Sequence, residues 1–271
     1  MKTRILVAAV GLPLLLIVVL ALPPVATAIL VAAMAVIAVY ELLIRTELLK
    51  HVRIFIYSCL LAVAVCVWSW LGLPRQLGML SVLLYLCAMF CEMLAAHTTL
   101  KFRSVCVAIF AAAVIPYLLG ALIRVRTMAN GQYFILTVFL LTMVPDSAAY
   151  FVGKALGKHK LSPIISPNKT VEGAIGGVAA TIAAMLLYCL ILQLAFKFRV
   201  DYVYAVIYGV LGAAGSILGD LTFSVIKRQV KIKDYGNLLP GHGGILDRFD
   251  STMVVAPLVE ALLLLIPFAV K

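Results

Sequence analysis

Apolar residues run in blocks of about twenty along almost the whole chain, separated by short polar stretches. Blocks of that length suit helices crossing a bilayer core about 30 Å thick. Nine can be read: Ile5–Leu20, Val25–Ile44, Ile54–Leu73, Leu77–Ala96, Ser104–Ile123, Tyr133–Gly153, Ala174–Phe196, Tyr202–Thr222 and Thr252–Val270. Barrel strands would alternate apolar and polar residues over about ten positions instead. The pattern therefore predicts an all-α, polytopic integral membrane bundle of about nine transmembrane helices. Pro23-Pro24 marks the turn between the first two. Met1-Lys2-Thr3-Arg4, the run after it and Ala26-Thr27-Ala28 also have the outline of a signal peptide. Because a second long apolar run follows at once, an uncleaved first helix is expected. Residues 1–130 then hold spans one to five. Residues 131–271 hold the other four and the more polar loops, within one continuous membrane domain.

Composition agrees with this class. Of 271 residues, 65% are hydrophobic and 12% charged, with a mean hydropathy of +1.17. A soluble domain has too much surface to hide such a chain, whereas lipid solvates it. With the N-terminus in the cytoplasm, 16 of the 22 lysines and arginines fall in cytoplasmic segments. The other six are Arg75, Arg124, Arg126, Lys197, Arg199 and Lys271. This bias predicts a multi-pass protein of the cytoplasmic (inner) membrane, its polar loops facing the cytoplasm. The net charge of +11 reads as topology and attraction to anionic lipid. Its dispersal over short loops speaks against a nucleic-acid partner. Six cysteines fall within the spans without a CxxC pair, and no chemistry is assigned to them.

One stretch breaks the pattern. Lys227 to Asp250, KRQVKIKDYGNLLPGHGGILDRFD, gathers five cations, three aspartates, a histidine and four glycines. Just upstream, Asp220 stands in an apolar run, where an ionised carboxylate is costly and needs a partner. On a continuing helix Ser224 and Lys227 follow at i+4 and i+7, stacking carboxylate, hydroxyl and ammonium on one face. Gly212-Ala213-Ala214-Gly215-Ser216 allows close helix contact beside it. Gly241, His242, Gly243 and Gly244 form a glycine-rich turn whose backbone could wrap an anion. Asp247 and Asp250 follow at i,i+3 in the first turn of the last span, which also suits the helix dipole.

A second polar patch runs from Asp146, Ser147 and Tyr150 to Gly153-Lys154. It continues through Ser166-Pro167-Asn168-Lys169-Thr170-Val171-Glu172-Gly173. It reads equally as a helix start, with Asn168 as N-cap and Glu172 near the dipole's positive end, or as a second phosphate-contacting wall. Glu41 and Glu92 are read as interfacial, and nothing converges on Glu260. P-loop, GxGxxG, HExxH and DGxxAR patterns are absent. Charge and spacing thus reach a metal-dependent site for phosphorylated ligands at the cytoplasmic membrane surface, but no substrate.

The run Ser224-Val225-Ile226-Lys227-Arg228, then Lys233-Asp234-Tyr235-Gly236, then Leu239 to Asp250 resembles the signature of the phosphatidate cytidylyltransferases. Pro145 to Phe151 and Ser166 to Gly173 are similar to further segments of that family. These motifs occupy the C-terminal half; the first five spans match only in being hydrophobic. The resemblance implies a nucleotidyltransferase of phospholipid biosynthesis that condenses CTP with phosphatidate to CDP-diacylglycerol and pyrophosphate. It implies Mg²⁺ on Asp220 and Asp247, leaves a second cation open, and suggests a homodimer. Lys227, Arg228, Lys233 and Arg248 would neutralise phosphates, and Gly241, Gly243 and Gly244 would approach the triphosphate. His242 would donate or carry a proton, Asp234 and Asp250 would orient these groups, and Asp146, Ser166 and Lys169 would face the same cavity. Two rivals are a CTP-dependent prenol or dolichol kinase and an anionic-lipid transporter. Phe223, where relatives often carry an acid, and Tyr235 depart from the expected pattern.

Overall fold

The computed structural model describes residue 11, residues 13–238 and residues 243–271. Gly241 and His242, and the beginning of the run Ile5–Leu20, lie outside the described residues. Helices dominate what is described, as the twenty-residue apolar blocks require. Where lipid offers no hydrogen-bond partner, a helix satisfies its backbone internally. Among the described residues, seven helices are long and apolar enough to cross a membrane: α1 (Pro24–Arg45), α2 (Val52–Leu71), α3 (Arg75–Ala95), α4 (Phe102–Thr127), α5 (Gly131–Leu156), α6 (Val171–Phe196) and α7 (Tyr202–Gln229).

The last apolar block departs from expectation at both ends. Its helix, α8, runs Leu246–Leu265 and takes in Asp247, Arg248, Asp250 and Glu260, so it is not one of the seven. Its expected end instead forms a strand, β4 (Ala269–Val270), antiparallel to β3 (Arg199–Val200). The Asp201 N–H donates to the Phe268 carbonyl at 2.8 Å beside this pair. The other strands, β1 (Lys160–Ser162) and β2 (Ser166–Thr170), form an antiparallel hairpin between α5 and α6.

Residue contacts divide the chain into two bodies. One comprises the described residues up to Met128 together with Val230–Phe249; the other is Ala129–Gln229 with Asp250–Lys271. The signature loop packs with the N-terminal helices. In that first body α2 lies against α1, α3 and α4. Among its described residues three π turns occur, at Ile17–Ala21, Glu41–Arg45 and Phe110–Val114.

The second body is built on α5, α6 and α7, which pack against one another. Small residues set the approach of α5 and α6. A Cβ on Gly177 would lie 2.9 Å from the Pro145 carbonyl, and one on Gly173 would lie 2.6 Å from the Ala149 carbonyl. Gly173 and Gly177 are one turn apart, the spacing that lets membrane helices meet backbone to backbone. The expected N-cap, Asn168, is replaced by Thr170, whose Oγ1 accepts the Gly173 N–H at 3.1 Å. Asn168 stays inside β2, where its backbone is extended, so it cannot cap a helix that begins at Val171.

Candidate active site

The second body holds a cavity of about 270 Å³ whose walls include Asp146, Tyr150, Ser166, Asn168, Lys169 and Asp220. Three elements supply them: the end of α5, the strand β2 and the middle of α7. Asp220 and Lys169 form an ion pair in which each side chain keeps about a quarter of its surface exposed. The Ser224 hydroxyl donates to Asp220 Oδ1 at 3.2 Å. That bond exists because α7 continues unbroken to Gln229, placing i+4 directly over Asp220 as its sequence spacing predicts.

Asp250 lies just ahead of the apolar part of α8 and is buried. Its Oδ1 accepts the Ser251 N–H at 2.7 Å. Burial, then the nearby Asp220 carboxylate, pushes its pKa above the ordinary carboxylate range; Asp146 adds to the rise, while the Ser251 N–H and Lys227 oppose it. Gly219 makes the close approach possible, since a Cβ there would stand 2.7 Å from the Asp250 carbonyl. Three carboxylates therefore share one region with Lys169 and Lys227. An all-oxygen donor set whose members repel one another fits a hard divalent cation. Among the described residues, no three Asp, Glu, His or Cys side chains converge as a complete ligand set. A cation here would take one or two carboxylates and fill its remaining positions with phosphate oxygens or water, as Mg²⁺ commonly does.

In the first body the signature loop is organised by two other carboxylates. Asp247 Oδ2 accepts the N–H groups of Tyr235 at 2.8 Å and Gly244 at 2.9 Å. Glu41, 2% exposed, accepts the Ile245 N–H on Oε1 and the Leu246 N–H on Oε2, both at 2.9 Å. Gly243 has φ +84°, a left-handed conformation that L side chains rarely adopt. A Cβ on it would also lie 2.7 Å from Asp247 Oδ2. Gly244 has no room either, because its Cβ would run into the Glu41 carboxylate. These two glycines thus have a reason within the protein itself: they let carboxylates reach the backbone.

The sequence-derived residues therefore fall into two groups. Asp146, Ser166, Lys169 and Asp220 line one cavity, and Asp250 and Lys227 interact electrostatically there. Gly243, Gly244 and Asp247 organise the loop of the other body, while Lys233, Asp234 and Arg248 stand exposed on it. Arg228 is exposed near the end of α7. Gly241 and His242 fall outside the described residues. Phe223 and Tyr235 are both buried, at 3% and 1% exposure; Phe223 fills α7's packed side where a carboxylate would need a partner. Sequence reasoning passed over Glu41 by taking it as interfacial. Its signal was a lone acid closing an apolar run, and only the fold reveals partners more than two hundred positions away.

A model of the cytidylyltransferase family matches residues 2–266. The phosphatidate cytidylyltransferase of Staphylococcus aureus (strain COL) is 47% identical over 152 residues, and that of Staphylococcus saprophyticus is 41% identical over 146. Each alignment covers 54% of this chain and 55% of the relative, so the chain spans about half the length of the curated relatives it matches. With the family model running nearly end to end, the chain belongs to the cytidylyltransferase family.

Proposed function

We propose that the protein condenses CTP with phosphatidate to give CDP-diacylglycerol and pyrophosphate. The observation that carries this reading is the cavity joining Asp146, Ser166, Lys169 and Asp220. It brings hydrogen-bond donors suited to phosphate oxygens together with carboxylates, in a chain from a cytidylyltransferase family. The names of the staphylococcal relatives support phosphatidate as acceptor. The reaction needs little proton chemistry. A phosphate oxygen of phosphatidate, already anionic, attacks the α-phosphorus of CTP; the bond from that phosphorus to the bridging oxygen breaks, and pyrophosphate leaves with the electron pair. Catalysis is then positioning and charge neutralisation.

Lys169, with Ser166 and Asn168 as hydrogen-bond donors, holds phosphate oxygens in this reading. Binding a phosphate exchanges the Lys169 ammonium from Asp220 to the ligand and frees the carboxylate. Asp220, with Asp250 and Asp146 beside it, holds Mg²⁺. The bound cation supplies charge neutralisation on phosphate oxygens. Asp247, the second ligand implied by the resemblance, and a second cation belong to the same proposal. So do a homodimer, location in the inner membrane and a site facing the cytoplasm.

The test is an assay in mixed micelles of phosphatidate with CTP and Mg²⁺. Pyrophosphate and lipid-linked CMP should appear in equal amounts, stop with EDTA and return with Mg²⁺. CDP without pyrophosphate would identify a lipid kinase. Lipid flux in vesicles without nucleotide turnover would identify a transporter.

A further inference from the structure

We infer that one π turn in the N-terminal body, Glu41–Arg45, positions the signature loop and with it the charged residues that the loop carries. This rests on the cytidylyl-transfer reading above. Glu41 and Arg45 are positioning residues: they act through the loop.

The geometry is specific. Glu41 ends the α-helical part of α1 and opens its π turn, a distortion that often accompanies function. A buried carboxylate is tolerated only when its oxygens are hydrogen-bonded. Glu41 spends one oxygen on each of two successive N–H groups, those of Ile245 and Leu246. These are donors that the start of α8 leaves without intrahelical acceptors, and the negative charge meets the positive end of the helix dipole. Glycine at two loop positions is explained by the same side chain, because a Cβ on Gly236 or Gly244 would collide with the Glu41 carboxylate. Four residues after Glu41, Arg45 Nη2 donates to Asn237 Oδ1 at 2.5 Å. One helical turn therefore grips the loop at residues 236–237 and again at 244–246. On either side of those grips the chain carries the signature charges Lys233, Asp234 and Arg248. Their placement depends on a side chain some two hundred positions upstream.

The experiment uses the full chain in detergent with two readouts: hydrogen exchange at the Ile245 and Leu246 amides, and steady-state kinetics in CTP and phosphatidate. Glu41→Gln puts an amide NH₂ where an acceptor stood. Exchange at those amides should quicken about 10- to 100-fold, the range expected for losing a hydrogen bond to a charged acceptor. kcat/KM should fall by a similar factor per folded molecule. Gly236→Ala should act the same way, and Gly236→Ala/Glu41→Asp should recover part of the loss, since the shorter acid vacates the space. If Glu41→Gln fails to fold, Asn237→Ala and the Gly236 pair carry the test. Wild-type exchange and kinetics in Glu41→Gln would overturn the inference. So would activity lost only in proportion to folded protein, or strictly additive effects in the double variant. If the wild-type chain transfers no cytidylyl group, the proposed function fails, while the exchange data still decide whether Glu41 holds the loop.

Discussion

Asp220 and Glu41 are both carboxylates in a largely apolar chain, yet their surroundings differ in kind. Asp220 borders a cavity, and its partners are an ammonium on a flexible stem and a serine hydroxyl. Glu41 is almost fully buried and bonded to two backbone N–H groups. Lys169 can swing to another anion without disturbing the backbone, but an N–H at a helix start cannot. The first arrangement leaves a carboxylate available to ligands, and the second turns one into architecture. Asp247 leans to the second kind, because its Oδ2 serves two loop N–H groups, although the family resemblance implied the same role for it as for Asp220.

Substitutions can break this comparison. Asp220→Asn should cost most in turnover, about 10²–10³-fold, as for removing a preorganised electrostatic group, with the melting temperature nearly kept. Lys169→Met should follow, lowering turnover about 10²-fold. Its stability should change by less than about 1 kcal/mol, because the pair is partly solvated; calorimetry beside kinetics checks both. Asp247→Ala should behave oppositely: two buried N–H groups lose their acceptor at about 1–3 kcal/mol each, so the melting temperature falls together with activity. An Asp247→Ala protein as stable as wild type would erase the distinction.

Asp250→Asn sharpens it from the other side. Because burial and Asp220 raise the Asp250 pKa, the folded state resists its ionisation: the penalty sets in above the ordinary aspartate value, grows until pH passes the raised one, and is absent only below the ordinary value. The neutral amide lacks the penalty, so without divalent cations the variant should melt a few degrees higher, at about 2–4 °C per kcal/mol. The gap should widen from pH 5 to pH 8 and shrink when Mg²⁺ is added. Ser224→Ala should be mildest, a several-fold loss of turnover for one neutral hydroxyl.

The membrane architecture was legible because a bilayer forces long apolar helices, and the column Asp220, Ser224, Lys227 was legible because α7 keeps its period through that stretch. The last span was misjudged at its ends: the helix extends back over Asp247 and Asp250, and Ala269 and Val270 pair with Arg199 and Val200. Hydropathy reads charges as ends of spans and cannot see a two-residue strand pairing across a body. Asn168 was a reasonable cap by residue type, but the hairpin register placed Thr170 at the helix start. Glu41 was beyond sequence reach, since the reason for its burial is the backbone of a loop two hundred residues later. Local periodicity can be read from one segment, whereas a long-range carboxylate–backbone contact needs the fold.

The most direct measurement follows separately labelled phosphates of CTP. With phosphatidate and Mg²⁺, the α-phosphate label should enter the lipid and the γ-phosphate label should leave as pyrophosphate, in equal amounts, with both transfers lost in Asp220→Asn. A γ-label in the lipid, or full activity in Asp220→Asn, would contradict cytidylyl transfer at this cavity.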